Sequence, residues 1–288
     1  MKTVLVTGGN GQLAKCIKDV IRKDGKTQFI FADLDDLDIT NQLEVQTYFD
    51  KNKIDYCINC AAYTAVDLAE NNKELARKIN VEGVNNLAIA CKSQNTIFIQ
   101  ISTDFVFDGE RKGLYAENDN TNPLSVYGQT KLDGEKTLQN SFKKHFIIRT
   151  SWLYSEYGNN FMKTMIKLGN EREELSVVND QIGTPTYAKD LAEVILKIIE
   201  TQSQVFGTYH YSNEGIVSWF DFAKEIFHQE KIKIKLNPIP SSSYSTPAKR
   251  PKYSVLDKDK IKETFNIEIP FWKKSLTQAL SAYHRKYN

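Results

Sequence analysis

Tyr127 and Lys131 stand four residues apart in Ser125-Val-Tyr-Gly-Gln-Thr-Lys131. One helical turn takes about 3.6 residues, so on a helix both side chains project from one face. A free phenol has a pKa of about 10, too high to exchange protons readily near neutrality, and a nearby ammonium favours the phenolate and lowers that value. The pair reads as a proton donor tuned by a cation. A ketone that gains a hydride at carbon needs such a donor at its oxygen. In Ser102-Thr103-Asp104, the Thr103 hydroxyl is a candidate to bond that same oxygen; the alternative is a plain Ser/Thr turn at a strand exit. Tyr127, Lys131 and Thr103 are therefore the candidate catalytic residues. Asn80 is a candidate to anchor a water that extends the relay from Lys131, or else a packing amide.

A hydride needs a carrier, and the chain opens with Thr7-Gly8-Gly9-Asn10-Gly11-Gln12-Leu13. Without a β-carbon, Gly8 and Gly11 let backbone approach a pyrophosphate, and a helix N-terminus favours its charge. The spacing is Gly-x-x-Gly-x-x-Ala14 rather than GxGxxG, so a tight strand-to-helix turn is the competing reading. Asp33 ends the second apolar run, about 20 residues past the loop, where a carboxylate bonds ribose hydroxyls. It would repel a 2′-phosphate, which slightly favours NADH over NADPH; alternatively Asp33 is one solvated member of the acidic run Asp33, Asp35, Asp36, Asp38. Asp38 and Ile39 are candidates to flank an adenine.

These groups need a frame. Strands are expected at Thr3–Val6, Gln28–Ala32, Asp55–Asn59, Ile97–Ile101 and Phe146–Arg149, alternating with helices at Gln12–Arg22, from the Asn41 cap to Asp50 with Glu44 in the capping-box position, at Glu74–Lys92 and at Ser125–Leu138. Such alternation is the mark of an α/β fold, a Rossmann-type doubly wound parallel sheet. Beyond Thr150 the regularity weakens. Helices are expected at Phe161–Gly169, Lys189–Glu200, from the Ser218 cap to Phe227 and at Phe271–His284, with a short strand at Ser176–Val178 and a loop at Pro238–Lys252. The expected division is an NAD(P)-binding domain over 1–150, with contributions from about 175–200, and a smaller α/β substrate-binding lobe over 151–288.

Composition narrows the partners. With 288 residues, 41% hydrophobic and 26% charged, the chain is long enough for a large core and is neither disordered nor fibrous. A net charge of +2, with Lys and Arg spread along the chain, makes nucleic acid or a membrane surface a poor expectation. No apolar run approaches the roughly 18 residues of a membrane span, and Val4-Leu5-Val6 runs straight into glycines, so a cytoplasmic location is expected by default. Cys57 and Cys60 form a CxxC, but they fall on an apolar strand and its exit, which favours small core residues over a redox or zinc pair.

Taken together, Thr7-Gly8-x-x-Gly11, Asn59-Cys-Ala61-Ala62, Ser102-Thr103-Asp104-x-Val-Phe107 and Tyr127-Gly-x-x-Lys131 resemble the extended short-chain dehydrogenase/reductases. More narrowly, Tyr63-Thr-Ala-Val-Asp67-x-Ala-Glu70, Arg149-Thr-Ser-Trp152-Leu-Tyr154, Gly158-Asn-Asn160-Phe161, Asn179-Asp-Gln-x-Gly183-x-Pro-Thr186 and Arg250-Pro251 are similar to the dTDP-4-dehydrorhamnose reductase family within them. The resemblance runs along nearly the whole chain. It implies NADH- or NADPH-dependent reduction of the 4-keto group of a dTDP-sugar, dTDP-6-deoxy-L-lyxo-4-hexulose, to dTDP-L-rhamnose by a monomer or homodimer. It also implies that Gly8, Gly11, Gln12, Leu13, Asp33, Ala61, Ala62 and Tyr63 line the cofactor site and that Lys131 holds its ribose. Asp104, Phe105, Trp152, Asn160 and Arg250 would line the sugar-nucleotide site. Two positions depart from the family pattern. Phe105 stands where many relatives carry Tyr. Lys15 and Cys16 stand where some members place a carboxylate that helps hold Mg²⁺ at a dimer interface, so no metal site is expected. Another nucleotide-sugar 4-ketoreductase, a 4-epimerase, or a dinucleotide-binding regulatory subunit are the competing functions.

Overall fold

The computed structural model describes residues 1–22 and 25–287. Five strands come first: β1 (Lys2–Thr7), β2 (Thr27–Ala32), β3 (Tyr56–Asn59), β4 (Ile97–Thr103) and β5 (His145–Thr150). Between them run α1 (Gln12–Val20), α2 (Gln42–Lys51), the short α3 (Val66–Ala69) and α4 (Lys73–Arg77), α5 (Val84–Gln94) and α6 (Val126–Ser141). Next come β6 (Leu153–Tyr154), α7 (Phe161–Glu171), β7 (Glu174–Val178), β8 (Ile182–Gly183), β9 (Thr186–Tyr187) and α8 (Ala188–Thr201). The chain then forms β10 (Gly207–His210), β11 (Val217–Ser218), α9 (Trp219–Gln229), β12 (Lys235–Ile239), α10 (Asp259–Phe265) and α11 (Trp272–Tyr287).

The large sheet has six strands in the order β2-β1-β3-β4-β5-β10. Every neighbouring pair is parallel. Side chains alternate across a strand, so Val4 and Val6 of β1 join a core with Ile17 of α1 and Ile195 of α8, while Leu5 joins the opposite core with Phe49, Leu87 and Phe98. Fully burying one such aliphatic side chain stabilises the fold by about 1.5–3 kcal/mol. A separate apolar cluster around Met162, Phe222 and Trp272 fills the remaining lobe. From β1 the chain passes to β2 on one side and then to β3 on the other. Such a reversal opens a crevice at the carboxyl ends of the strands.

Four elements differ from expectation. The sheet has a sixth strand, β10, whose Gly-Thr-Tyr-His is too short and too polar to show a strand pattern. The part of 175–200 that joins the large sheet's layers is α8, packed with α1 in one core; β7 pairs instead with β12. That pairing takes Pro238, on an edge where a missing N–H is tolerated, out of the expected loop. The single helix expected over Glu74–Lys92 is interrupted by a π-helical turn at Lys78–Gly83. There the Asn80 side chain is buried: its Oδ1 accepts from Tyr63 N (2.9 Å), and its Nδ2 donates to Tyr63 O (3.2 Å) and Thr130 Oγ1 (3.1 Å). Through these bonds the Asn80 side chain ties the β3 exit to α6. Finally, Asn41 caps α2, but the Glu44 carboxylate reaches past it to Asp38 N (2.8 Å) instead of closing the box.

Candidate active site

A cleft of about 740 Å³ runs along the carboxyl ends of the sheet. At its floor β1 turns into α1 through the glycine loop. Gly8 adopts φ +63°, and a β-carbon there would sit 2.8 Å from Ala61 N, so only glycine lets this turn pass the exit of β3. The α1 N-terminus has no side-chain cap and no acidic residue in its first turn, which leaves its N–H groups open to an anion. Asp33 lies beside this loop: its Oδ2 accepts from Asn10 N (2.6 Å) and its Oδ1 from Leu34 N (2.7 Å). Gly8, Gly11, Gln12, Leu13, Asp33, Asp38, Ile39, Ala61 and Ala62 all line the cleft. These residues fit a dinucleotide: backbone donors for phosphate at the loop and a fixed carboxylate beyond it.

Above the floor stand the groups able to move a proton. Ser125 caps α6 by accepting from Gly128 N (3.2 Å), which starts the helix one residue before Tyr127. Gly128 has no room for a β-carbon against the Phe105 carbonyl, so α6 lies hard against the turn that follows β4. Deeper along α6, Glu135 pairs with Arg149 at the end of β5 (2.7 Å), both nearly fully buried. Thus Tyr127, Lys131, Thr103 and Asp104 share one wall of the cleft. Phe105 meets the Tyr127 ring edge-on at 5.6 Å.

Burial sets the charges here. It pushes the Tyr127 phenol up to about 12; hydrogen bonding with Thr103 opposes this, and Asp104 adds to it. The phenol is therefore raised rather than lowered as expected, because loss of water outweighs the Thr103 hydrogen bond. Burial also pushes Lys131 down to about 8, with Glu135 and Cys60 pulling the other way, and its Nζ donates to Ile101 O (2.7 Å). Asp104 is pushed up to about 6 by burial, which hydrogen bonding from Ser254 and Thr103 only partly offsets. Its Oδ2 and the buried Ser102 Oγ have no well-formed protein partner. Buried polar atoms without partners are costly to the fold. Cys60, which lines the cleft, is pushed up to about 12 by burial, and Cys57 lies in the core.

A sequence model described as the RmlD substrate binding domain matches residues 1–285. The dTDP-4-dehydrorhamnose reductase of Aggregatibacter actinomycetemcomitans is 42% identical over 287 residues, 96% of this chain and 97% of the relative. The chain belongs to the dTDP-4-dehydrorhamnose reductase family. The solved structure of such a reductase from Clostridium acetobutylicum superposes with a TM-score of 0.94 at 46% identity, covering 98% of this chain and 99% of that one. The Bacillus anthracis reductase, solved in complex with NADP, also superposes at 0.94, with 42% identity and coverage of 98% and 100%.

Within that family frame, some expected residues stand elsewhere. Tyr63 is off the cleft lining: Asn80 holds its backbone, and its hydroxyl accepts from Asn72 Nδ2 (3.2 Å). Asn160 is off it too, because it caps α7 through Lys163 N (3.2 Å) and donates to Ser155 O (2.7 Å); its neighbour Asn159 lines the cleft instead. Arg250 lines the cleft but is paired in two-pronged fashion with Asp67 (2.7 and 3.2 Å). Burial works against the Asp67 charge, yet the Arg250 and Ala248 hydrogen bonds hold its carboxyl below its usual value. Trp152 lines the cleft with one face covered by Trp219. Trp219 and Ser151 are lining residues that sequence reasoning did not assign to the site, and Ser102 lines it beside Thr103. Trp219 had a visible signal, since it directly follows the Ser218 cap, but on an amphipathic helix it reads as core.

Proposed function

We propose that this protein reduces the 4-keto group of dTDP-6-deoxy-L-lyxo-4-hexulose with NADH or NADPH, forming dTDP-L-rhamnose for surface polysaccharide or glycan synthesis. The observation that carries the proposal is the convergence of Tyr127, Thr103 and Lys131 on one wall of a cleft floored by an uncapped glycine loop, in a chain of this family. Residues 1–150 with α8 and β10 would hold the dinucleotide, and most of 151–288 the sugar-nucleotide. Gly8, Gly11 and the α1 N-terminus would cradle the pyrophosphate, and Asp33 would take ribose hydroxyls. When bound, the reduced nicotinamide supplies the hydride.

The chain's own residues do the rest. Thr103 and Tyr127 hydroxyls hold the sugar carbonyl oxygen. As charge builds on that oxygen, Tyr127 donates its proton, because an alkoxide is a stronger base than a phenolate. Lys131, still mostly protonated near neutrality at a pKa of about 8, offsets the phenolate that results. Asp104 Oδ2 and Ser102 Oγ would meet sugar hydroxyls, and Arg250 the pyrophosphate. The protein would work in the cytoplasm as a monomer or homodimer; among the described residues no helix is long and apolar enough to cross a membrane.

The test is oxidation of added cofactor by the purified protein in the presence of the dTDP-ketosugar, with the product identified by NMR. Stoichiometric cofactor loss with a new alcohol at C4 is expected, and turnover without net cofactor change would point to epimerisation instead. Tyr127→Phe should lower kcat by about 10²–10⁴-fold with cofactor affinity nearly unaltered; undiminished turnover would remove Tyr127 from the mechanism.

A further inference from the structure

Trp152 is built in an unusual way for a residue that merely fills space. Its φ is +46°, in the left-handed region where a bulky side chain is strained. Its indole lies nearly parallel to that of Trp219, with ring centroids 3.6 Å apart and 11° between planes. Gly183 closes against the same indole, so that a β-carbon there would sit 2.6 Å from Trp152 Cε2. Trp219 is braced in turn by Phe161, 4.6 Å away. The turn after β5, the end of β8 and the first residue of α9 thus converge on one side chain. Both indoles nevertheless stay partly exposed and line the cleft shared by Tyr127 and Thr103. A core aromatic would gain by being fully buried. These two keep surface facing the cleft, and the backbone strain at Trp152 persists because its surroundings over-determine it.

We propose that Trp219 is a positioning residue for the sugar: it locks the Trp152 indole so that the pair presents one rigid apolar wall to the hexose of the nucleotide-sugar. This inference rests on the reductase reading of the cleft. An unlocked Trp152 could turn about both side-chain torsions and would have to be ordered each time a sugar bound. A wall fixed in advance spares that ordering, and the benefit appears in sugar affinity rather than in the chemical step. It also explains why Trp219 opens α9 at a capped terminus. The Ser218–Asp221 capping box fixes the first turn of that helix, and with it the direction of the Trp219 side chain.

The experiment compares the whole protein with its Trp219→Ala and Trp219→Phe forms, at saturating NADPH and varied dTDP-4-keto-6-deoxyhexose. An aromatic pair of this kind is worth up to about tenfold in an equilibrium, so Trp219→Ala should raise the sugar KM about tenfold. Its kcat should stay within about twofold, as for loss of uniform binding. Its NADPH affinity should not move. Near-ultraviolet circular dichroism should show the loss of the fixed indole pair. Trp219→Phe should recover most of the KM, because a phenyl ring still stacks. The proposal is overturned if Trp219→Ala leaves the KM unchanged, if Trp219→Phe is as defective as Trp219→Ala, or if NADPH affinity falls in parallel with sugar affinity. The wild-type control separates the two readings. No turnover there would overturn the reductase assignment, whereas turnover with an indifferent Trp219→Ala would overturn this inference alone.

Discussion

The most quantitative consequence of the structure concerns Asp104. Burial raises its pKa from an ordinary 3.8 to about 6 in the folded protein. The folded state therefore binds the proton more tightly than the unfolded chain. Stability is lost as pH rises from the unfolded value through the folded one, and the loss is complete above about pH 6. Each pKa unit corresponds to about 1.4 kcal/mol, so the ionised carboxylate costs the fold about 3 kcal/mol at neutral pH. Asn resembles the protonated acid and escapes this cost. Asp104→Asn should accordingly be more stable than the wild type by about 3 kcal/mol near pH 7.5, and by only about half that near pH 5. At about 2 °C per kcal/mol for a chain of this size, the neutral-pH gain is about 6 °C in Tm. If Asp104 lines the proposed sugar site, the same substitution removes a charged acceptor there, and kcat/KM should fall by about 10–100-fold. Urea unfolding at the two pH values, with steady-state kinetics beside it, measures both effects. A variant no more stable than wild type at pH 7.5, or one with the same gain at both pH values, would refute the reasoning.

Two further expectations can be checked with the same preparation. Because Lys131 loses its proton near pH 8, kcat/KM should decline as pH rises through about 8, on the slope expected for a single ionisation; a flat profile to about pH 9.5 would show that the ammonium is not required. If the Asp33 carboxylate bonds ribose hydroxyls, Asp33→Ala should shift the ratio of NADH to NADPH kcat/KM toward NADPH by about tenfold, and an unaltered ratio would reject that role.

Residue types and spacing were enough to read the scaffold because they report local physics. The alternation of short apolar runs with helical periodicity revealed five of the six large-sheet strands and the helices α1, α2, α5, α6 and α8, whereas α10, whose Ile261 and Phe265 join the core beside α8, was not expected. What escaped depends on tertiary context. β10 is a strand only because β5 offers it a parallel edge, and nothing in Gly-Thr-Tyr-His shows that edge. The π-helical turn at Lys78–Gly83 is fixed by Asn80 reaching Tyr63 and Thr130, which lie 17 and 50 residues away in sequence. Asn160, expected to hold the sugar-nucleotide, also caps α7, a role set by the helix start that the motif alone did not reveal. Arg250 was legible as a cleft cation, but its partner Asp67 lies 183 residues earlier.

The charge states were the least legible part, and they alter the mechanism. From the sequence, the expected role of Lys131 is to acidify the resting phenol. In the folded site the phenol instead sits near 12. A proton donor must keep its proton until the carbonyl oxygen turns basic, and a strongly lowered phenol would already be partly ionised at neutral pH and useless for reduction. A raised pKa keeps nearly every Tyr127 loaded. In the proposed mechanism the penalty for ionising it in a dry pocket falls only when the phenolate forms, and the Lys131 ammonium would act on it then. Asp104 raises the phenol further; in the proposed mechanism that carboxylate would guard the proton before transfer, and the Lys131 ammonium would stabilise the charge after it. Burial, which sequence spacing cannot show, is what separates these two roles.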